Sequence, residues 1–186
     1  SLLGAIIHDL KVPFPMNDIW VSWCDLRAWQ IANGLREIYE DIEKRKYLKP
    51  EAIWEIESGL SLSGQDIYNA ALKKSKWYNS ASELFEKFDL LVLPSTQVWP
   101  FDLAEIYPVS IKSEKMDTYH RWMQVTIPAG LLGLPVVNIP IGFGKTGLPA
   151  GIQLIGSKGS DGYILSIAQA WHEHTKWPYV NIPNFN

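Results

Sequence analysis

Few residues in this chain could do chemistry unaided, and the first group is the serine- and glycine-rich stretch 58–64. A serine nucleophile on a strand-to-helix turn needs a glycine two positions before it and another two positions after it. Ser61 has Gly59 on one side but Ser63 on the other, so the pattern fails. We expect a capped loop between two helices. A hydrolase site built from Ser61 or Ser63 with a distant histidine is the weaker alternative.

The histidines offer a second possibility. His172 and His174 lie two positions apart on a predicted helix, so their side chains point in different directions, and Lys176 stands where a zinc motif needs a histidine. His8 and His120 have no neighbouring cysteine or carboxylate pattern that would make either one a metal ligand or a general base. The sequence therefore predicts no metal site and no cofactor.

Composition excludes several functions. The 186 residues are 47% hydrophobic and 20% charged, as in a globular domain with a buried core. A net charge of -3 without long lysine or arginine runs gives no electrostatic basis for binding nucleic acid. Residues 127–144 carry no charge, but three prolines interrupt them, so we predict neither a membrane-spanning helix nor a membrane partner.

The single cysteine and the start of the chain bear on location. Cys24 cannot form an internal disulfide, which is compatible with a reducing cytoplasm. The apolar residues 2–7 are too short for an export signal, so we expect a cytoplasmic protein. Because the chain begins at Ser1 and not at methionine, we also expect sequence to be missing upstream.

Helices are predicted to fill the first half of the chain. A helix from an N-cap at Asp18 should continue with one apolar face and break near residues 33–34. Ser63 and Asp66 form a capping-box pattern before a long helix with one buried stripe. The apolar face of the first helix is Ile31, Leu35, Ile38 and Ile42, and the buried stripe of the second is Ile67, Ala70, Ala71, Tyr78, Ala81, Leu84, Phe85 and Phe88.

Short apolar runs in the second half are typical of strands. Residues 89–94 form a run stopped by proline, as expected for a strand covered on both faces. Residues 136–141 and 150–155 predict two more strands, and residues 117–127 and 161–174 predict helices. The pattern indicates an α/β fold with a mixed sheet layered with helices.

Four motifs in this second half carry a family resemblance. Their order and spacing resemble the C-terminal part of the amidase signature family, with further likeness over residues 48–174. We therefore separate residues 1–47, which match loosely, from residues 48–186, and expect both to fold as one unit. The four motifs are Phe88–Thr96, Pro128–Pro135, Val137–Pro140 and Gly147–Gly156.

The resemblance implies an enzyme that cleaves a carboxamide C–N bond to a carboxylate and ammonia or an amine. Members of the family use a lysine and two serines from a glycine- and serine-rich region well upstream, and these 186 residues contain no such region. The resemblance thus implies no catalytic residue in this chain, and whether the chain belongs to an active enzyme stays open. It does not choose among amide substrates, or between hydrolysis and transamidation.

The resemblance also implies that this chain supplies part of a substrate pocket. A strand end that feeds a loop is where α/β sheets place binding groups, so Thr96, Gln97 and Trp99 are candidates. Closing a turn and packing on the core are the plainer roles for Thr96 and Trp99. The remaining candidates are Trp122, Gly130, which replaces an asparagine common in the family, and Gln153, a lone polar residue in an apolar strand. Because a buried amide must be hydrogen-bonded, a structural bond is the plainer role for Gln153.

Two kinds of partner follow. A complete enzyme would bring a small-molecule amide substrate and the N-terminal amidase portion. The isolated chain could instead self-associate through exposed apolar surface, to which its nine tryptophans could contribute. The rival function is a non-catalytic, amidase-like binding or scaffold protein.

Overall fold

The computed structural model describes residues 4–180 and 182. The chain divides into two compact units: Val12–Ser80 forms one, and the residues before and after this segment form the other. The first unit is helical, and the second contains the strands. The separation of residues 1–47 from 48–186, drawn from the extent of the family resemblance, stays a prediction.

The helices of the first unit follow one another with short connections. The first begins at Met16, directly after Pro15, and not behind an N-cap at Asp18. It ends at Gly34, which confirms the predicted break. The five helices are α1 (Met16–Gly34), α2 (Arg36–Glu40), α3 (Ile42–Arg45), α4 (Pro50–Ser61) and α5 (Gly64–Phe85), whose last turn lies beyond Ser80.

Helices α1 and α4 pack closely because one position in α4 has no side chain. A Cβ atom on Gly59 would lie 2.1 Å from the carbonyl oxygen of Ala28. The contact buries Ala32 and Ile56, and the Arg27 Nε atom donates to the buried carboxylate of Glu55 at 2.8 Å. Gly59 is thus a packing residue inside α4.

The predicted apolar face of the first helical region is wrong beyond its break. Ile38 and Ile42 are exposed. The 3.6-residue period holds only within a continuous helix, and here it is broken twice. Helix α1 ends at Gly34 and α2 begins at Arg36, and α3 begins behind Asp41, whose side chain accepts from the backbone of Glu43 and Lys44.

The long helix α5 begins at the predicted capping box. The backbone N–H of Ser63 donates to Asp66 Oδ2 at 2.8 Å, and the Asp66 N–H donates to Ser63 Oγ at 3.2 Å. The buried stripe is only partly as predicted. Ala70 and Ala81 are buried, but Ala71 and Tyr78 are exposed, and Trp77 is the buried aromatic residue.

The second unit is built on a three-stranded antiparallel sheet, in which β5 (Pro149–Ile155) lies between β1 (Leu91–Pro94) and β4 (Val136–Phe143). Strands β4 and β5 confirm the two later predicted strands. Strand β1 lies at the edge of this sheet. Val92 is 55% exposed, so one face of β1 is open, and the expectation of cover on both faces is wrong in the described chain. The strands are β1 (Leu91–Pro94), β2 (Ser110–Ile111), β3 (Glu114–Lys115), β4 (Val136–Phe143) and β5 (Pro149–Ile155).

Helices α7 (Asp161–Thr175) and α8 (Trp177–Val180) pack against the sheet, which confirms the α/β class and the layering. The Trp171 indole N–H of α7 donates to the Pro140 carbonyl of β4 at 2.7 Å. The helix expected over residues 117–127 is instead a 3-10 helix followed by α6, which Gly133 ends in a left-handed conformation. The bounds are Arg121–Thr126 for the 3-10 helix, then α6 (Ile127–Leu132), α7 (Asp161–Thr175) and α8 (Trp177–Val180).

The helices within residues 4–180 are too short or too polar to cross a membrane. None combines the length and the apolar character that a span requires.

Candidate functional site

A row of residues crosses the sheet where β1 ends. Leu93, Gln153 and Asn138 stand opposite one another on β1, β5 and β4. Directly paired residues of an antiparallel sheet project from the same face. Two of the three are polar, so this face carries side-chain amides in otherwise apolar strands. Asn138 is exposed, whereas Gln153 is only 3% exposed.

Ser95, the residue after β1, bridges the outer strands of the sheet. Its hydroxyl donates to Asn138 Oδ1 at 3.0 Å, and its backbone N–H donates to the Gly151 carbonyl at 3.0 Å. A Cβ atom at position 151 would lie 2.8 Å from Ser95 Oγ, so glycine on β5 leaves the room that the hydroxyl occupies. Ser95 therefore has a side-chain amide as its partner and no activating base in this bond.

The two glutamines named from the sequence meet at one residue, Val125. The Gln97 side-chain oxygen accepts from the Val125 backbone N–H at 2.9 Å. The Gln153 amide group donates to the Pro94 carbonyl at 2.7 Å and to the Val125 carbonyl at 3.3 Å. The expectation that the Gln153 amide is hydrogen-bonded is confirmed, and both bonds go to backbone.

Thr96 takes the plainer role of closing a turn, whereas Trp99 is exposed and does not pack on the core. The Val98 backbone N–H lies 3.4 Å from Thr96 Oγ1, a weak bond that closes a turn. Trp99 is 62% exposed, and its ring covers the glycine at the turn after β4, since a Cβ on Gly144 would lie 2.6 Å from it. Substrate contact by either residue stays a prediction.

Trp122 and Gly130 lie on the segment that the glutamines contact. Trp122 is in the same 3-10 helix as Val125 and meets Phe101 edge to face, with ring centroids 5.5 Å apart. Gly130 is exposed in α6, and a Cβ atom there would meet nothing within 4 Å. The candidate site thus has a polar strand end on one side and this helical segment on the other.

The remaining candidates for chemistry are in ordinary structural bonds. Ser63 Oγ donates to Asp66 Oδ2 at 2.6 Å, and Ser61 Oγ donates to the Ser58 carbonyl at 2.7 Å. His120 is buried, with Nδ1 2.8 Å from the Thr118 hydroxyl. Among residues 4–180 and 182, no cluster of three or more histidine, cysteine, aspartate or glutamate side chains could hold a metal ion.

The perturbed carboxyl groups belong to the helical unit. Burial raises the pKa of Asp25, and the negative charge of Asp66 raises it further against an opposing effect of Lys73. The pKa of Asp66 is itself lowered, first by the Ser63 hydroxyl and then by the Ser63 backbone N–H. These shifts describe capping and packing of helices and not the strand-end cluster.

Solved structures share this fold. An amidase matches with a TM-score of 0.76 at 21% identity over 88% of this chain and 37% of that one. A bacterial aryl acylamidase of the amidase signature family matches with a TM-score of 0.76 at 22% identity over 91% of this chain and 36% of that one. At these identities the likeness concerns the fold alone.

Similarity at the level of sequence identifies the family. The family model described as Amidase matches residues 16–165, and this chain belongs to that family. A fatty acid amide hydrolase of Medicago truncatula is 39% identical over 47% of this chain and 14% of that protein. One glutamyl-tRNA(Gln) amidotransferase subunit, from Dehalococcoides mccartyi, is 38% identical over 55% of this chain and 19% of that protein. The matched parts are less than a quarter of these relatives.

Proposed function

We propose that this chain is the C-terminal portion of an amidase signature hydrolase. The enzyme would cleave a carboxamide C–N bond and release a carboxylate with ammonia or an amine. One observation carries the proposal: the family match runs over residues 16–165, although this chain covers only 37% and 36% of two solved amidases that share its fold. The rest of such an enzyme has room for the catalytic groups.

In this proposal the chemistry belongs to residues upstream of Ser1. A lysine and one serine move the proton, and a second serine attacks the amide carbonyl. Backbone N–H groups stabilise the negative charge on the carbonyl oxygen, and water releases the acid. The serine hydroxyls of this chain support the assignment indirectly, because those of Ser95, Ser61 and Ser63 all donate to structural acceptors.

The share of this chain is the fold and one wall of the pocket. Thr96 and Gln97 follow the end of β1, and the 3-10 helix with Trp122 is held next to this strand end. An amide substrate would be bound between that wall and the upstream residues. The acyl group is not selected, since relatives named as fatty acid amide hydrolase and as glutamyl-tRNA(Gln) amidotransferase both align with the same chain.

The test compares two polypeptides: this chain, and the same chain extended upstream in its natural gene. Both are incubated with a panel of aryl and alkyl amides, and release of amine or ammonia is measured. We expect hydrolysis only by the extended polypeptide. Hydrolysis by neither polypeptide would favour the binding or scaffold protein, and hydrolysis by this chain alone would place a nucleophile within it.

A further inference from the structure

The backbone of Val125 is held by side chains from two separate parts of the sheet. Its N–H is bonded by Gln97, which follows β1, and its carbonyl is bonded by Gln153 on β5. Both contacts span 28 residues of sequence. A regular 3-10 helix would instead bond this carbonyl to the N–H of the third residue along, but that residue is Pro128, which has none.

The two glutamines take opposite hydrogen-bonding roles. Gln97 must present its oxygen, because the Val125 N–H is a donor. Gln153 must present its nitrogen, because the Pro94 and Val125 carbonyls are both acceptors. The same residue type therefore serves once as an acceptor and once as a double donor, and each role fixes which way the side-chain amide is turned.

We propose that Gln97 and Gln153, together the glutamine clamp, are positioning residues that fix the segment 121–132 against the strand end. This segment carries Trp122 and Gly130, so the clamp sets where one pocket wall lies. The inference rests on the proposed function only in treating that wall as part of a substrate pocket. It replaces direct substrate contact as the role of both glutamines.

Burial divides the work between the two members of the clamp. Gln153 is 3% exposed, so water cannot replace the two carbonyls as partners of its nitrogen if they move away. The nitrogen would then be a buried donor without a hydrogen bond, which is costly. Gln97 is exposed, so water can satisfy its amide when the bond to Val125 is broken. Its contribution is therefore mainly to fix the direction of that one hydrogen bond. We therefore expect Gln153 to affect stability and Gln97 chiefly to affect the local order of the segment.

Substitution by glutamate separates the two roles, since glutamate keeps the acceptor and removes the donor. In this chain, Gln97→Glu should keep the exchange rate of the Val125 amide hydrogen near that of the wild type. Gln97→Leu should raise that rate on the order of tenfold. Gln153→Glu should raise it as well and lower the melting temperature. The rates are read residue by residue by NMR, together with the position of the Trp122 indole signal.

Two further variants control for misfolding and for general effects of losing a glutamine. Gln153→Met keeps the length of the side chain without its amide, and it replaces Gln153→Glu if the buried carboxylate prevents folding. Gln169→Leu is the matched control, because the Gln169 amide donates to Glu173 across one exposed turn of α7 and not to the backbone of another element among the described residues. It should leave Val125 exchange and the Trp122 signal unchanged.

Kinetics of the upstream-extended polypeptide link the clamp to substrate. Gln97→Leu should raise KM for an aryl amide several-fold with little change in kcat. Gln97→Glu, which keeps the acceptor oxygen, should have a KM near that of the wild type. The clamp is overturned if Val125 exchange is the same in Gln97→Leu as in the wild type, or if Gln97→Glu is as damaging as Gln97→Leu. If the wild type hydrolyses no amide, the proposed function fails, and Val125 exchange alone then decides the clamp.

Discussion

Gly151 shows at the scale of one residue how a missing side chain shapes the candidate site. Its Cβ position lies 2.8 Å from Ser95 Oγ and 3.2 Å from the Ile139 carbonyl oxygen. Gly151→Ala should displace the Ser95 hydroxyl from Asn138 and lower the free energy of unfolding by about 1–2 kcal/mol. Chemical denaturation measures this, with Gly130→Ala as the control, since nothing lies within 4 Å of its Cβ position. Equal losses in both variants would contradict the account.

Asp25 gives a second prediction at this scale. A carboxyl whose pKa is raised in the folded protein contributes stability that is present at low pH and lost as pH rises through the folded pKa. Asp25→Asn should therefore raise the melting temperature at pH 7, and this gain should shrink as pH falls through the raised pKa of the folded protein and be absent below the ordinary carboxyl pKa of 3.8. Melting curves over pH measure it, and a gain that does not depend on pH would contradict the assigned cause.

Single residues also show what sequence reasoning could reach. The lone amide of Gln153 in an apolar strand predicted a buried hydrogen bond, because an unpaired buried amide is costly. Its partner Val125 was beyond prediction, since the bond joins a strand to a distant 3-10 helix. Asn138 was noted only within a family motif, and its place opposite Gln153 depends on strand register.

At the scale of elements, the contact between α1 and α4 depends on Gly59. A methyl group there would meet the Ala28 backbone at 2.1 Å, which the helices cannot relieve without separating. Gly59→Ala should cost about 3 kcal/mol of unfolding free energy.

Gly162→Ala is the control for this change. It lies in α7 with nothing within 4 Å of the Cβ position, and it should gain about 0.5–1 kcal/mol from helix propensity. Denaturation of both variants by urea provides the measurement. A Gly59→Ala variant as stable as the wild type would show that α1 and α4 do not approach as described.

Short-range sequence patterns predicted where elements begin better than they predicted which residues of those elements are buried. The capping box at Ser63 and Asp66 is a short-range pattern, and it is confirmed. Cover on β1 depends on what lies beside the sheet, which an apolar run cannot specify. The predicted buried stripe on α5 is right at Ala70 and Ala81 but wrong at Tyr78. An apolar side chain does not by itself show which side of a helix faces the core.

At the scale of the whole molecule, the exposed edge of the sheet bears on self-association. Within the part of the chain that the structure describes, strand β1 pairs only with β5, and Val92 is 55% exposed. Edge strands with exposed apolar side chains pair with other chains, and a lysine opposes such pairing. Val92→Lys should therefore lower the apparent mass of this chain at high concentration, as measured by light scattering after size exclusion.

Leu103→Lys is the control for this prediction, because Leu103 is fully exposed but lies in a turn and not in a strand. We expect it to change the apparent mass less than Val92→Lys does. If both substitutions act equally, general apolar exposure and not the edge of β1 drives association.

The family and the fold of the whole chain were within reach of its sequence. Four ordered motifs between Phe88 and Gly156 carried the resemblance, and the Amidase match over residues 16–165 confirms it. The division into two compact units was not predicted, because it depends on contacts between distant residues. The roles of Thr96, Trp99, Trp122 and Gly130 toward a substrate stay predictions.

The central claim is that this chain provides the fold and a pocket wall while the attacking serine lies upstream of Ser1. Its most direct test is to trap the acyl-enzyme of the upstream-extended polypeptide by acid quench after mixing with an activated acyl substrate. Peptide mass spectrometry then locates the acylated residue. We expect an acylated serine upstream of Ser1, and acylation of Ser95, Ser61 or Ser63 would place the nucleophile within this chain instead.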